Sequence, residues 1–166
     1  MTKWLLIALI ALIALAVLAV AAGQMGLLRG QMPADLGLRE GRLKAPSKTA
    51  NSVSSQAALW PDNPQAAAAQ IAPLALIGQP ADGKATLDRI EKIVRDTPGT
   101  QIVKRDGDYL QATATTALMR YTDDLEFWFD NAAQVVHVRS ASRLGREDLG
   151  ANRKRVEAIR AQLAAR

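Results

Sequence analysis

The stretch Tyr121-Thr-Asp-Asp-Leu-Glu-Phe-Trp-Phe-Asp130-Asn-Ala-Ala-Gln-Val-Val-His-Val-Arg139-Ser-Ala-Ser142 decides the fold. Leu125, Phe127 and Phe129 alternate with Glu126, Trp128 and Asp130, which is the period of a strand with one apolar and one mixed face. Asp130-Asn131 supplies a turn. Beyond it, over Val135–Ala141, Val136 and Val138 face one way while His137 and Arg139 face the other. Upstream, Asp106-Gly107 between Gln101–Arg105 and Asp108–Tyr121 is a strong short-range hairpin signal. The second of those segments carries strand-favouring Thr and Tyr. Four antiparallel strands in a meander are expected.

Helices flank the meander. Asp82 is a candidate N-cap, Leu87, Ile90, Ile93 and Val94 recur at helical spacing, and Pro98-Gly99 ends the pattern. Downstream, Leu149, Val156 and Leu163 repeat every seven residues with Ile159 between them. Asp148 is placed to cap this last helix, and Glu147 suits its positive end. The expected fold class is α+β: an N-terminal transmembrane helix, then a small sandwich of a four-stranded antiparallel meander packed with two helices over residues 81–166. Residues 24–80 hold Pro33, Pro46, Pro61, Pro64 and Pro73 and read as a loop-rich linker and wrapping segment. Within it, Ala66–Ala69 suits one helical turn, and Ile71–Ile77 suits a covering strand or a core plug.

Residues 1–23 read as a transmembrane anchor or a long signal peptide. Leu5–Ala22 is unbroken in Leu, Ile, Val and Ala, and at helical rise it spans about 27 Å, close to a bilayer core. Trp4 would sit at headgroup level. Ala19-Val20-Ala21 matches a small-x-small cleavage site, but the run exceeds the usual signal-peptide core. A single-pass membrane protein is therefore expected, in contact with the lipid bilayer through Leu5–Ala22. Lys3 favours an inside N-terminus and a soluble domain on the periplasmic side, while Arg29, Arg39 and Arg42 work against that orientation.

Lys and Arg total 21 against 16 Asp and Glu, for a net charge of +5 and a pI near 9.9. Such an excess suits anionic partners or a plain mixed-sign surface. Nucleic acid is disfavoured, because aromatic residues make up only 4% of the chain and build no stacking platform. There is no cysteine, which excludes disulfides, thiolate chemistry and a lipidated cysteine. With His137 the only histidine, a zinc-type site lacks donors, so neither metal nor cofactor is expected.

Six arginines crowd Arg139–Arg160. Arg139, Ser140, Ser142 and Arg143, followed by Gly145 and joined by Arg153, resemble an anion nest of guanidinium and hydroxyl donors. They are the candidate ligand-binding residues. Asp123, Asp124 and Glu126 form an acidic cluster with two readings. One is metal ligation or acid–base chemistry. The other is structural ion pairing with Arg139, Arg143 or Arg153, with Arg155 also placed among the ion-paired residues. A Ser-His-Asp set can be assembled from Ser54 or Ser55, His137 and Asp124, yet no Gly-x-Ser-x-Gly elbow accompanies it and no catalytic residue is assigned.

Taken together, Tyr121-Thr-Asp-Asp-Leu-Glu-Phe127, Arg139-Ser-Ala-Ser-Arg-Leu-Gly145 and Asp148-Leu-Gly-Ala-Asn-Arg-Lys-Arg155 resemble the bacterial and plastid family catalogued as domain of unknown function 1499. Leu36-Gly-Leu-Arg-Glu-Gly-Arg-Leu43 with Asn51-Ser-Val-Ser-Ser-Gln56 is similar to that family's N-terminal signature. The resemblance implies a membrane-associated or exported setting and no particular reaction. Where relatives usually carry two cysteines, this chain has Ala45, before Pro46, and Ser52, after Asn51. Any role of that pair is closed to it. The expected function is a membrane-anchored, non-enzymatic binding or adaptor domain recognising a partner protein or an anionic, lipid-like ligand through arginines. Two alternatives stand beside it: an accessory subunit of a larger membrane protein complex, and a hydrolase using the acidic cluster with His137.

Overall fold

The computed structural model describes residues 2–165. Its elements in chain order are α1 (Thr2–Gln24), β1 (Ser52–Ser54), a 3-10 turn at Ala57–Leu59, α2 (Ala66–Ala69), β2 (Leu74–Ala75) and α3 (Gly83–Asp96). The meander follows as β3 (Thr100–Asp106), β4 (Tyr109–Thr115), β5 (Thr122–Asp130) and β6 (Val135–Ser142), and α4 (Ala151–Ala164) closes the fold.

All strand pairs are antiparallel, in the order β1-β6-β5-β4-β3, with β2 pairing further along β6. The sheet thus has six strands where the sequence reading expects four. The additions come from the loop-rich segment. Ser52–Ser54 pairs with Arg139–Ala141 and Leu74–Ala75 with Val135–Val136, which satisfies the backbone edge that β6 would otherwise expose. Such short pieces carry no period for a sequence to show.

One face of the sheet holds the core. Leu110, Ala112, Leu125, Phe127, Val136 and Val138 pack with Leu87, Ile90 and Val94 of α3 and with Val156, Ile159 and Leu163 of α4. Val53, Ile71 and Leu74 complete it from the loop-rich segment. Both helices therefore lie on a single face, and the other face meets the chain around residues 32–45. The arrangement differs from the expected sandwich in that a polar loop layer, without regular elements, forms its third side.

Local boundaries follow turn chemistry. Asp106 pairs with Tyr109, so the first hairpin turns at Gly107-Asp108, with Gly107 at φ +52°. The second strand ends at Thr115, short of Tyr121, because Thr116–Arg120 turns the chain back with Arg120 at φ +59°. Asp130 Oδ1 accepts the amides of Ala132 (2.9 Å) and Ala133 (3.1 Å), fixing the next turn. Asp82 caps α3 through Ala85 N at 3.0 Å. Leu149 lies outside the last helix and is 82% exposed, against the expectation that it joins the buried stripe. The helix starts only at Ala151, so helical spacing does not reach back to it.

Candidate functional site

Strand alternation sends the charged residues of β5 and β6 to opposite faces. On the loop side, Glu126 stands opposite Arg139 and Trp128 opposite His137. Glu126 is fully buried and Arg139 only 3% exposed. A charge in that position must be paired and hydrogen-bonded, and Glu126 is. Its Oε1 accepts from Tyr109 Oη and from Gly37 N, each at 2.8 Å, and its Oε2 accepts from Arg139 Nη1 at 3.2 Å. Arg139 Nε donates to Ala45 O at 3.2 Å, so both partners also hold the covering loop. Burial, reinforced by the neighbouring Glu126 carboxylate, pushes the Tyr109 phenol far above its ordinary value and keeps it a donor. Beside this pair, Arg143 forks onto Asp124, Nε to Oδ2 at 2.9 Å and Nη2 to Oδ1 at 2.7 Å.

On the helix side, Asp123 meets Arg155 of α4 at 2.6 Å. Asn152, also on α4 and fully buried, organises the rest. Its Nδ2 donates to Asn51 O (3.1 Å), Ser142 Oγ (3.0 Å) and Asp148 Oδ2 (2.7 Å). Its Oδ1 accepts from Ser140 Oγ (2.5 Å) and Arg155 Nη1 (2.8 Å). Asp148 in turn accepts Gly150 N and Asn152 N, each at 2.9 Å, so it caps α4 from two residues before the formal cap, Gly150. Burial pushes the Asp148 carboxyl up, but the hydrogen bonds from Asn152 and Gly150 outweigh it and hold the group below its ordinary value.

The five candidate ligand residues are distributed accordingly. Arg139 and Arg143 lie on the loop side, engaged by Glu126 and Asp124. Ser140 and Ser142 point the other way, onto Asn152. Arg153 donates to Ala68 O (2.8 Å) and Gln70 O (2.9 Å), tying α4 to the end of α2.

His137 meets neither the acidic cluster nor Ser54. Its Nδ1 lies 3.1 Å from Ser55 Oγ, its Nε2 lies 3.7 Å from Asp130 Oδ2, and its ring stacks on Trp128 at 5.4 Å. Ser55 Oγ already accepts Val138 N at 2.9 Å, so its proton is directed at Nδ1. Burial lowers the imidazole pKa below its ordinary 6.5, against the opposing pull of Asp130. A depressed pKa in the fold means that the unfolded chain binds the proton more readily. Stability is therefore full above 6.5 and falls as the pH drops from there towards the folded-state value. We expect the denaturation midpoint to decrease between about pH 7.5 and about pH 5.5, and to decrease less in His137→Gln; equal slopes would contradict this.

A cleft of about 380 Å³ opens in the loop layer, lined by Asp35, Gly37, Arg39, Arg42, Lys44 and Trp60 among others. Lys44 pairs with Asp35. Gln56, buried, clamps the wall by donating to Gly41 O (3.1 Å) and accepting from Leu43 N (2.8 Å). Sequence patterns alone do not single out Gln56, Tyr109 or Asn152. All three are polar residues whose burial depends on what covers them, and only the motif strings containing Gln56 and Asn152 marked their neighbourhoods.

Residues 42–163 match a family model described as "Protein of unknown function (DUF1499)", and the chain belongs to that family. No curated protein and no solved structure matches it.

Proposed function

We propose that this chain is a non-enzymatic binding module held at a membrane surface by α1, with its soluble domain on the periplasmic side and an anionic, lipid-like molecule as its ligand. The observation that carries the tether is the uncovered state of α1. Its most apolar 18-residue window has a mean hydropathy of 3.2 and is 0% buried by protein, so in water its whole surface would be unfavourably exposed. The helix touches the domain at its end, where Gln24 Nε2 donates to Ala117 O (3.0 Å) and Leu118 O (2.8 Å). Leu118, 62% exposed, then stands beside the end of the span, where bilayer and headgroups would meet it.

The non-enzymatic reading rests on the acidic cluster. Asp123, Asp124 and Glu126 each carry an arginine, which leaves no uncommitted acid or base among them. The hydrolase alternative needs His137 beside the acidic cluster, but the carboxylate that faces its Nε2 is Asp130, and that 3.7 Å separation is too long for an orienting hydrogen bond.

The test uses the absence of native cysteine. A Leu149→Cys variant, exposed at that position, is expected to stay in alkali-washed membranes and to react in intact cells with a maleimide that cannot cross the bilayer. Release of a chain shortened after Ala21 would overturn the tether, and labelling only after lysis would overturn the orientation. Stoichiometric neighbours retained by native mass spectrometry in detergent would favour the accessory-subunit alternative instead.

A further inference from the structure

Arg39 and Arg42 exchange backbone hydrogen bonds, Arg39 N to Arg42 O and Arg42 N to Arg39 O, both at 2.9 Å. They flank a two-residue turn in which Glu40 and Gly41 sit at φ +50° and +70°. The hairpin therefore sets two arginines directly opposite each other, a cross-strand arrangement in which like charges repel. Neither guanidinium meets a carboxylate within salt-bridge distance among the described residues. That contrasts with Arg139, Arg143 and Arg155, each paired to a buried acid.

Three further features belong to the same place. Both arginines line the cleft of about 380 Å³, a size within the range of small-molecule sites. Trp60 lines it too, and its Nε1 is a buried donor without a protein acceptor, an exception to the rule that such groups are satisfied. Glu40 holds a left-handed conformation that L-residues rarely adopt, the kind of backbone strain that clusters at ligand sites. Gln56 fixes the hairpin backbone from below through Gly41 O and Leu43 N, so both arginines project from a held turn.

From these we infer that the Arg39–Arg42 hairpin and Trp60 form a binding site for a phosphate ester. Two uncommitted guanidinium forks suit a phosphate monoester, whose double charge and three terminal oxygens exceed the single charge and two oxygens of a carboxylate. The cleft exceeds the volume of a bare phosphate and leaves room for the alcohol portion of the ester beside the indole. Lys44 and Asp35 neutralise each other on the cleft wall, and with Glu40 also lining the cleft the two guanidiniums carry its attraction for an anion. The site rests on the reading of the chain as a binding module, but not on the membrane tether. Its phosphate could come from a lipid headgroup or from a soluble ester, since the two share the recognised chemistry.

The test is nuclear magnetic resonance of the full-length, ¹⁵N-labelled chain, following the indole N–H of Trp60. In neutral detergent, glycerol phosphate titrated at constant ionic strength should shift that resonance saturably, with a midpoint on the order of millimolar. The indoles of Trp4 and Trp128 should stay in place. The double substitution Arg39→Gln and Arg42→Gln should weaken binding at least tenfold; both residues are exposed, so the fold should tolerate it. In nanodiscs, a shift on adding phosphatidic acid, a phosphate monoester, to phosphatidylcholine, with no soluble ester present, identifies the headgroup as the source. A shift only with the soluble ester identifies the free molecule. No saturable shift from either source, or an equal shift in the double variant, overturns the site. Because the detergent arm needs no bilayer, a failed tether would leave it intact.

Discussion

Replacing Glu126 by leucine is expected to destabilise the folded domain by about 3–5 kcal/mol, among the largest effects available to one substitution here. The leucine itself suits a buried position. The loss comes from what remains: Arg139, 3% exposed, keeps its charge with only the Ala45 carbonyl to receive it. Tyr109 Oη and Gly37 N also lose their acceptor, so the covering loop loosens on the same face. Arg139→Met should cost a similar amount by orphaning the carboxylate instead. Urea unfolding of the full-length chain in detergent, followed by tryptophan fluorescence, measures both. Lys92→Ala serves as the control. Its pair with Asp96 is exposed on both sides, and pairs of that kind contribute little.

Asn152→Ala should have an effect nearly as large but more local. The truncation removes the donor to Asn51 O and Ser142 Oγ and the acceptor of Ser140 Oγ. Buried polar groups left without partners cost about 1–3 kcal/mol each, so a total of about 3–5 kcal/mol is expected. The damage falls on the seam between α4, β6 and the strand-like turn at Asn51, while the β4–β5 pairing keeps its own bonds. Native-state hydrogen exchange separates the two regions. Amides of α4 should lose protection by a larger factor than those of β5. Equal losses in both would mean that Asn152 supports the whole fold rather than this seam, and unchanged α4 protection would remove it from the account.

The meander and both flanking helices could be read from the sequence because each carries its own period: two in Leu125–Asp130 and Val135–Ala141, near 3.6 in Leu87–Val94 and Val156–Leu163. Asp82 and Asp148 were legible as caps for a similarly local reason. The edge strands at Ser52–Ser54 and Leu74–Ala75 were not, since three and two residues are too few to alternate. A seven-residue spacing places Leu149 in the buried stripe, although the chain enters α4 only two residues later. The ionic partners depend on register. Glu126 faces Arg139 only because a turn of Asn131–Gln134 brings Asp130 opposite Val135. One residue more or less would exchange the two faces. The Arg39–Arg42 hairpin is illegible for another reason: its residues lack strand propensity, and the repulsion within it depends on which side chains partner them in the fold.

The central claim is that the arginines of β6 stabilise the fold from inside rather than face a ligand. A double-mutant cycle on Glu126 and Arg139 tests it most directly, using Glu126→Leu, Arg139→Met and the combination. The double variant should be more stable than either single variant, with a coupling free energy of about 2 kcal/mol or more, because two apolar side chains replace a buried pair without leaving an orphaned charge. Additive losses, or an Arg139→Met variant as stable as the parent chain, would contradict the claim and return Arg139 to the surface chemistry of the molecule.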